Sequence, residues 1–201
     1  MSEKNREAQE NGENLVRFEC IKCGECCRQT ELIVTVTGRD VARLSSTLGM
    51  TAPDLLRALD FYVLPENGTV PKGLRDTPLL KTESGKAYMA LRKMDSGDCI
   101  FLKDNQCMIH PIRPFVCRTF PFVFRDVIGE LKWGFSSMKD ICPGIGEGSK
   151  VTEQELVELS IAALEDLAVY REFAETWNET AAEPTAIGFL EAILSDVRFS
   201  V

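Results

Sequence analysis

Cys20, Cys23 and Cys26 stand three residues apart, Gly24 lies between the second and the third, and Cys27 follows at once. Two intervening residues let a chain fold back so that neighbouring thiolates reach one metal, and glycine accepts the positive φ of such a knuckle. The same C-x2-C-x2-C opening supplies three ligands of a cubane cluster in bacterial ferredoxins, whereas zinc ribbons use separated pairs. The spacing leans towards iron–sulfur. Neighbouring side chains diverge, so Cys27 is expected to face a second site or the interior rather than share an ion with Cys26. Cys99, Cys107, Cys117 and Cys142 bring the total to eight. Eight thiolates complete two four-thiolate sites, and one cubane with four further thiols uses the same set.

Other chemistry competes for these residues. A CxxC pair with a lowered thiol pKa is also the disulfide-exchange motif, although two overlapping CxxC spacings fit that use less naturally. His110 follows Cys107 at CxxH spacing and is open to a site of three cysteines and one histidine. It is the only histidine, and its ordinary reading is that of a loop residue. Arg28, Arg113 and Arg118 lie beside cysteines in sequence and are candidates to offset the negative charge of a thiolate site. No GxGxxG, P-loop, nucleophile elbow or paired-carboxylate motif accompanies them, so no catalytic set is recognised.

The surrounding chain must position these thiols. Its 201 residues suffice for one globular domain with a real core, and 44% hydrophobic and 27% charged residues are ordinary for such a domain. The opening residues are polar, with no signal-peptide pattern, and no apolar run approaches the roughly 20 residues of a membrane span. A reducing cytoplasm is therefore expected, where clustered thiols argue for metal rather than structural disulfides. Residues 149–201 hold three basic against eleven acidic side chains, and the remainder balances at 20 against 20. Neither part is the cationic surface that nucleic acid requires.

Residues 1–13 read as a flexible tail, 14–148 as the cysteine-bearing domain, and 149–201 as a helical segment packed on it. Alternation over Leu32–Thr37 predicts a strand. Thr37 with Asp40 predicts a helix start, Gly49 its end, and Thr51, Pro53 and Asp54 open a second helix with Leu55, Leu56, Leu59 and Val63 on one face. From Glu66 to Gly85 the punctuation reads as loop. Strands are expected at Ala87–Leu91, Cys99–Leu102 and Gln106–Ile109, with a turn at Lys103–Asn105, and a hairpin at Phe122–Phe135 turning near Gly129. Pro114 suits the first position of a helical turn presenting Cys117. Thr152 and Glu155 form a capping box ahead of a stripe from Leu156 to Trp177, and a shorter helix follows over Thr185–Leu194. The fold class is α+β, with a small irregular β-rich metal-centred core and packed helices.

The blocks CIKCGECC at Cys20–Cys27, CIFLKDNQCMIHPIRPFVCRTFP from Cys99 to Pro121, and Cys142, Pro143, Gly144 together resemble the YkgJ-type CxxCxxCC proteins. The resemblance covers roughly Phe18 to Gly144. It implies a zinc- or iron-chelating domain, in a family that includes flagellin lysine methylases; the chain departs from it at His110, where the family usually has Tyr. The leading expectation is a metal-binding protein with one or two [4Fe-4S] clusters on Cys20, Cys23, Cys26, Cys27, Cys99, Cys107, Cys117 and Cys142. It would act in electron transfer, as an oxidoreductase component, or as an accessory or assembly factor for a redox enzyme, with a protein partner. The alternatives are a zinc-stabilised interaction module and a methylase-like group-transfer enzyme with a supporting metal site.

Overall fold

A computed structural model describes residues 16–63, 74 and 77–200. The expected tail at residues 1–13, and half of the expected loop from Glu66 to Gly85, lie outside the described residues. The helices are α1 (Gly38–Leu48), α2 (Ala52–Leu55), α3 (Phe115–Thr119), α4 (Glu153–Thr180) and α5 (Ala186–Ser195). The strands are β1 (Arg17–Phe18), β2 (Leu59–Val63), β3 (Leu80–Thr82), β4 (Gly85–Leu91), β5 (Leu102–Lys103), β6 (Gln106–Cys107), β7 (Phe122–Val127), β8 (Glu130–Phe135) and β9 (Ile145–Lys150). This is the mixed α+β class, with small antiparallel sheets. Among the described residues no helix is long and apolar enough to cross a membrane.

The chain divides into two compact units. The first joins the residues up to Cys23 to Thr119–Leu164; the second joins Gly24–Arg118 to the residues from Glu165 onward. Helix α4 contributes its first part to one and its remainder to the other.

In the first unit, β1 pairs with β9 and β7 with β8, both antiparallel. The β7–β8 turn falls on Ile128 and Gly129, both at positive φ, which is the geometry of the tightest hairpins. Phe122 is buried where Phe18, Trp133 and Phe135 pack round it, with ring centroids 5.4, 5.9 and 5.5 Å away. Thr152 and Glu155 exchange hydrogen bonds as a capping box at the start of α4.

In the second unit, β2, β4 and β3 form a three-stranded sheet in that order. Two expectations are corrected here. Leu59 and Val63 fit a helical period, yet α2 stops at Leu55 and β2 runs antiparallel to β4, pairing Leu59 with Leu91 and Val63 with Ala87. The aromatic and β-branched run Phe61–Tyr62–Val63 suits a pleated surface. Leu80–Thr82, expected as loop, closes a hairpin onto β4 because Leu80 and Thr82 alternate inward around exposed Lys81. The strand expected at Leu32–Thr37 is reduced to one bridge, Thr35 to Ala90, flanked by Val36 N–H donating to Met89 O. Only Leu102 of the strand expected over Cys99–Leu102 is paired, in β5; Cys99 bridges to Lys93 instead.

Helix α1 begins and ends as its residues dictate: Thr37 Oγ1 accepts from Asp40 N–H at 3.3 Å, Thr37 N–H donates to Asp40 Oδ2 at 3.1 Å, and Gly49 closes the end. Helix α5 lies against α1 and α2. The core of this unit gathers Leu44, Leu55, Leu59, Leu80, Met89, Leu190 and Ile193. At its aromatic end Phe189 is fully buried among Phe61, Tyr170, Phe173 and Trp177.

Candidate metal centre

Three local structures present thiols within the second unit. Glu25–Cys27 forms a 3-10 turn opened by Gly24 at φ 75°, and Cys27 N–H donates to Gly24 O at 2.9 Å. A Cβ on Gly24 would fall 2.8 Å from Asn105 O and 3.0 Å from Leu102 Cδ1, so this turn sits directly on the β5–β6 hairpin. That hairpin carries Cys107 and turns through Asp104 and Asn105 at φ 48° and 63°, the two left-handed residues of a type I′ turn. Cys99 is tied to the turn by its backbone, its N–H donating to Cys27 O at 2.8 Å. Helix α3 presents Cys117, whose N–H donates to Pro114 O at 2.9 Å.

The thiols converge on Cys27. Its side chain shares hydrogen bonds with Cys107, Cys26 and Cys99. Neighbouring cysteines were expected to diverge; the 3-10 turn, tighter than an extended backbone, brings Cys26 and Cys27 together instead. The shared proton polarises the group. Hydrogen bonds to Cys107, Cys26 and Cys99 hold the Cys27 thiol far above the usual range. The same bond from Cys27 lowers Cys26 to about 7 and Cys107 to about 6, and moves Cys99 down. Arg113 adds to the lowering at Cys26 and Cys107. Cys117 is pushed up, chiefly by burial and then by the charges of Cys26, Cys99 and Cys107. Burial and the charge of Cys107 oppose the lowering at Cys26 and Cys99, so the one Cys27 proton favours thiolate at a single neighbour at a time, and thiolate is the form in which cysteine binds metal.

The structure sorts the other candidates. Of the three candidate arginines, Arg113 is the one whose charge reaches Cys26 and Cys107, as that of Lys93 reaches Cys99, and the buried Arg113 Nε has no hydrogen-bond partner among the described residues. His110 contacts the Arg113 guanidinium. Arg28 pairs with Glu25 at 2.6 Å and donates to Asn105. Arg118 stacks on the Phe115 ring at 4.4 Å. Cys20, Cys23 and Cys142 belong to the first unit.

Asp40 was legible only as a cap, but it does more. Fully buried, it ion-pairs with Arg43 at 3.3 Å and accepts from Phe115 N–H, the first residue of α3, at 3.0 Å. Asp166, also buried, accepts from Thr37 Oγ1 at 2.8 Å.

The donor set suits a thiophilic metal. Four thiolates are the complement of a structural zinc ion or of a [4Fe-4S] cluster. Among the described residues, no three His, Cys, Asp or Glu side chains stand at the spacing of a formed ion site.

Comparison with known proteins bears on the same segment. The CxxCxxCC family profile, described as a "putative zinc- or iron-chelating domain", matches residues 19–143. The uncharacterized protein MJ0661 of Methanocaldococcus jannaschii is 30% identical over 120 residues, which is 59% of this chain. The match spans about half of that relative, 52% of its length. No solved structure matches.

Proposed function

The chain belongs to the CxxCxxCC family, and from that premise we propose that it holds a thiolate-ligated metal centre on Cys26, Cys27, Cys99 and Cys107. The observation that carries the reading is the hydrogen bonding of Cys27 to the other three thiols. Ligands drawn from three places in the chain make metal binding part of folding in this region.

Iron in a [4Fe-4S] cluster is the first reading. Cys117 adds a fifth thiol within electrostatic reach of Cys26, Cys99 and Cys107. Five thiols exceed the four ligands that a single tetrahedral zinc ion takes. Such a cluster would supply one-electron transfer, in an electron carrier or in an accessory subunit serving a redox enzyme. The chain's own residues would bind it through thiolates and offset its charge through Arg113. A single zinc ion is the second reading, favoured by direct contact between the thiols: four sulfurs round one such ion lie about 4 Å apart. That centre would stabilise an interaction module.

Anaerobic purification with iron, zinc and acid-labile sulfide analysis tests both. Iron and sulfide in equal amounts, with brown charge-transfer absorbance, support the cluster. Colourless protein with one zinc and no sulfide supports the second reading. Protein that takes up neither metal, as isolated or on anaerobic reconstitution, overturns the proposal.

A further inference from the structure

We propose that Cys20, Cys23 and Cys142 form a metal site of their own within the first unit, taking a single thiophilic ion such as zinc. The inference rests on the reading that the cysteines of this chain hold metal. It divides the CxxCxxCC run between two sites, which the spacing of the run does not indicate.

Backbone pairing brings the ends of this unit together. Strand β1 runs antiparallel to β9 with Phe18 opposite Ile145, and Glu19 N–H donates to Gly144 O at 3.2 Å. Cys20 follows Glu19 directly, and Cys142 lies two residues before Gly144. The approach is close: a Cβ on Gly144 would fall 2.2 Å from Glu19 O, and one on Gly148 2.4 Å from Glu19 Cβ. Any larger residue at Gly144 would prise the Cys20 segment from the Cys142 segment.

The path between Cys20 and Cys23 is also that of a ligand pair. Lys22 adopts φ 58°, a left-handed conformation uncommon for a residue with a side chain. This reversal is what a C-x2-C pair uses to present both sulfurs to one ion. Cys142 is held by a 3-10 turn over Lys139–Ile141, its N–H donating to Lys139 O at 2.9 Å. The sequence of this unit contains no other cysteine and no histidine. Three thiolates are therefore its whole set of cysteine and histidine donors, and the fourth position of a zinc ion falls to a carboxylate or to solvent.

The test uses the full-length wild-type chain, reduced and stripped of metal. Zinc is added at one and then two equivalents, free thiols are alkylated, and intact and peptide masses are read. The expected result at one equivalent is a population protected at Cys20, Cys23 and Cys142 while Cys99 and Cys107 are labelled, or the reverse population, or both. At two equivalents both groups are protected. Protection of the three only in molecules where Cys99 and Cys107 are also protected means one shared site and overturns the proposal. Labelling of the three at zinc saturation, with Cys99 and Cys107 protected, overturns it while leaving the centre on Cys27 intact. Labelling of both groups overturns this proposal and the zinc reading of the centre on Cys27, while its cluster reading is decided by anaerobic reconstitution. As a second measurement, cobalt(II) titration of the C20S/C142S variant should give one ion per chain where the wild type gives two.

Discussion

The carboxylate of Asp40 joins the start of one helix to the start of another, accepting Thr37 N–H on Oδ2 at 3.1 Å and Phe115 N–H on Oδ1 at 3.0 Å. Phe115 opens the short helix that presents Cys117, so the placement of a thiol depends on a carboxylate in α1. Replacing Asp40 by Ala removes a cap worth about 1 kcal/mol and leaves a half-buried N–H without its acceptor, at about 1–3 kcal/mol. The expected loss is about 2 kcal/mol in urea denaturation, with faster alkylation of Cys117. Unchanged stability and unchanged Cys117 reactivity would contradict this linkage.

Burial moves Asp40 up from 3.8 to about 6; Asp166 adds to the rise, while the Thr37 N–H, Arg43 and Arg118 oppose it. Tyr170 and Cys117 also feel its charge. The folded protein therefore binds this proton more tightly than the unfolded chain does. Its contribution to stability is fullest below about pH 4, falls as pH rises towards about 6, and is flat above, a change of about 3 kcal/mol. Urea midpoints at pH 4.5 and pH 7 should differ more for the wild type than for D40N. Equal differences would count against a titrating Asp40.

Metal content should follow the thiols that meet at Cys27. C27S and C99S are each expected to lose more than half of the metal bound by the second unit, because each removes a ligand and a hydrogen-bond partner of the remaining set. H110A should retain it, since the bonds that gather the group are those of Cys27 to Cys26, Cys99 and Cys107. Metal analysis on the three variants decides: full content in both serine variants, or loss in H110A, would sink the assignment.

Stripping the metal should loosen the second unit unevenly. Hydrogen exchange should accelerate over Gly24–Thr35 and Cys99–Cys117, and protection should persist around Phe189, whose aromatic surroundings need no thiol. Uniform acceleration would instead mean one cooperative body.

Helix starts and tight turns were legible because their determinants are local. Thr37, Asp40 and Gly49 bound α1 as read; Ile128–Gly129 turns one hairpin and Asp104–Asn105 another. Leu59–Val63 was misread because Leu55, Leu59 and Val63 satisfy a helical period, whereas the strand exists through pairing with Ala87–Leu91, far along the chain. The β1–β9 pairing joins Arg17 to Lys150 and carries no local signal. In the site, the types of the thiols were evident, but the meeting of Cys26 with Cys27 depends on a 3-10 turn that residue spacing does not announce.

The seat of Gly24 on Asn105 O makes the hairpin a ruler. Its turn has only two residues, Asp104 and Asn105, and both are already in left-handed backbone, so there is no slack in which to absorb an added residue. An insertion between Cys99 and Cys107 would slide Cys107 to the opposite face of its strand and lift the glycine off its rest. The centre is thus as dependent on the length of this block as on its cysteines.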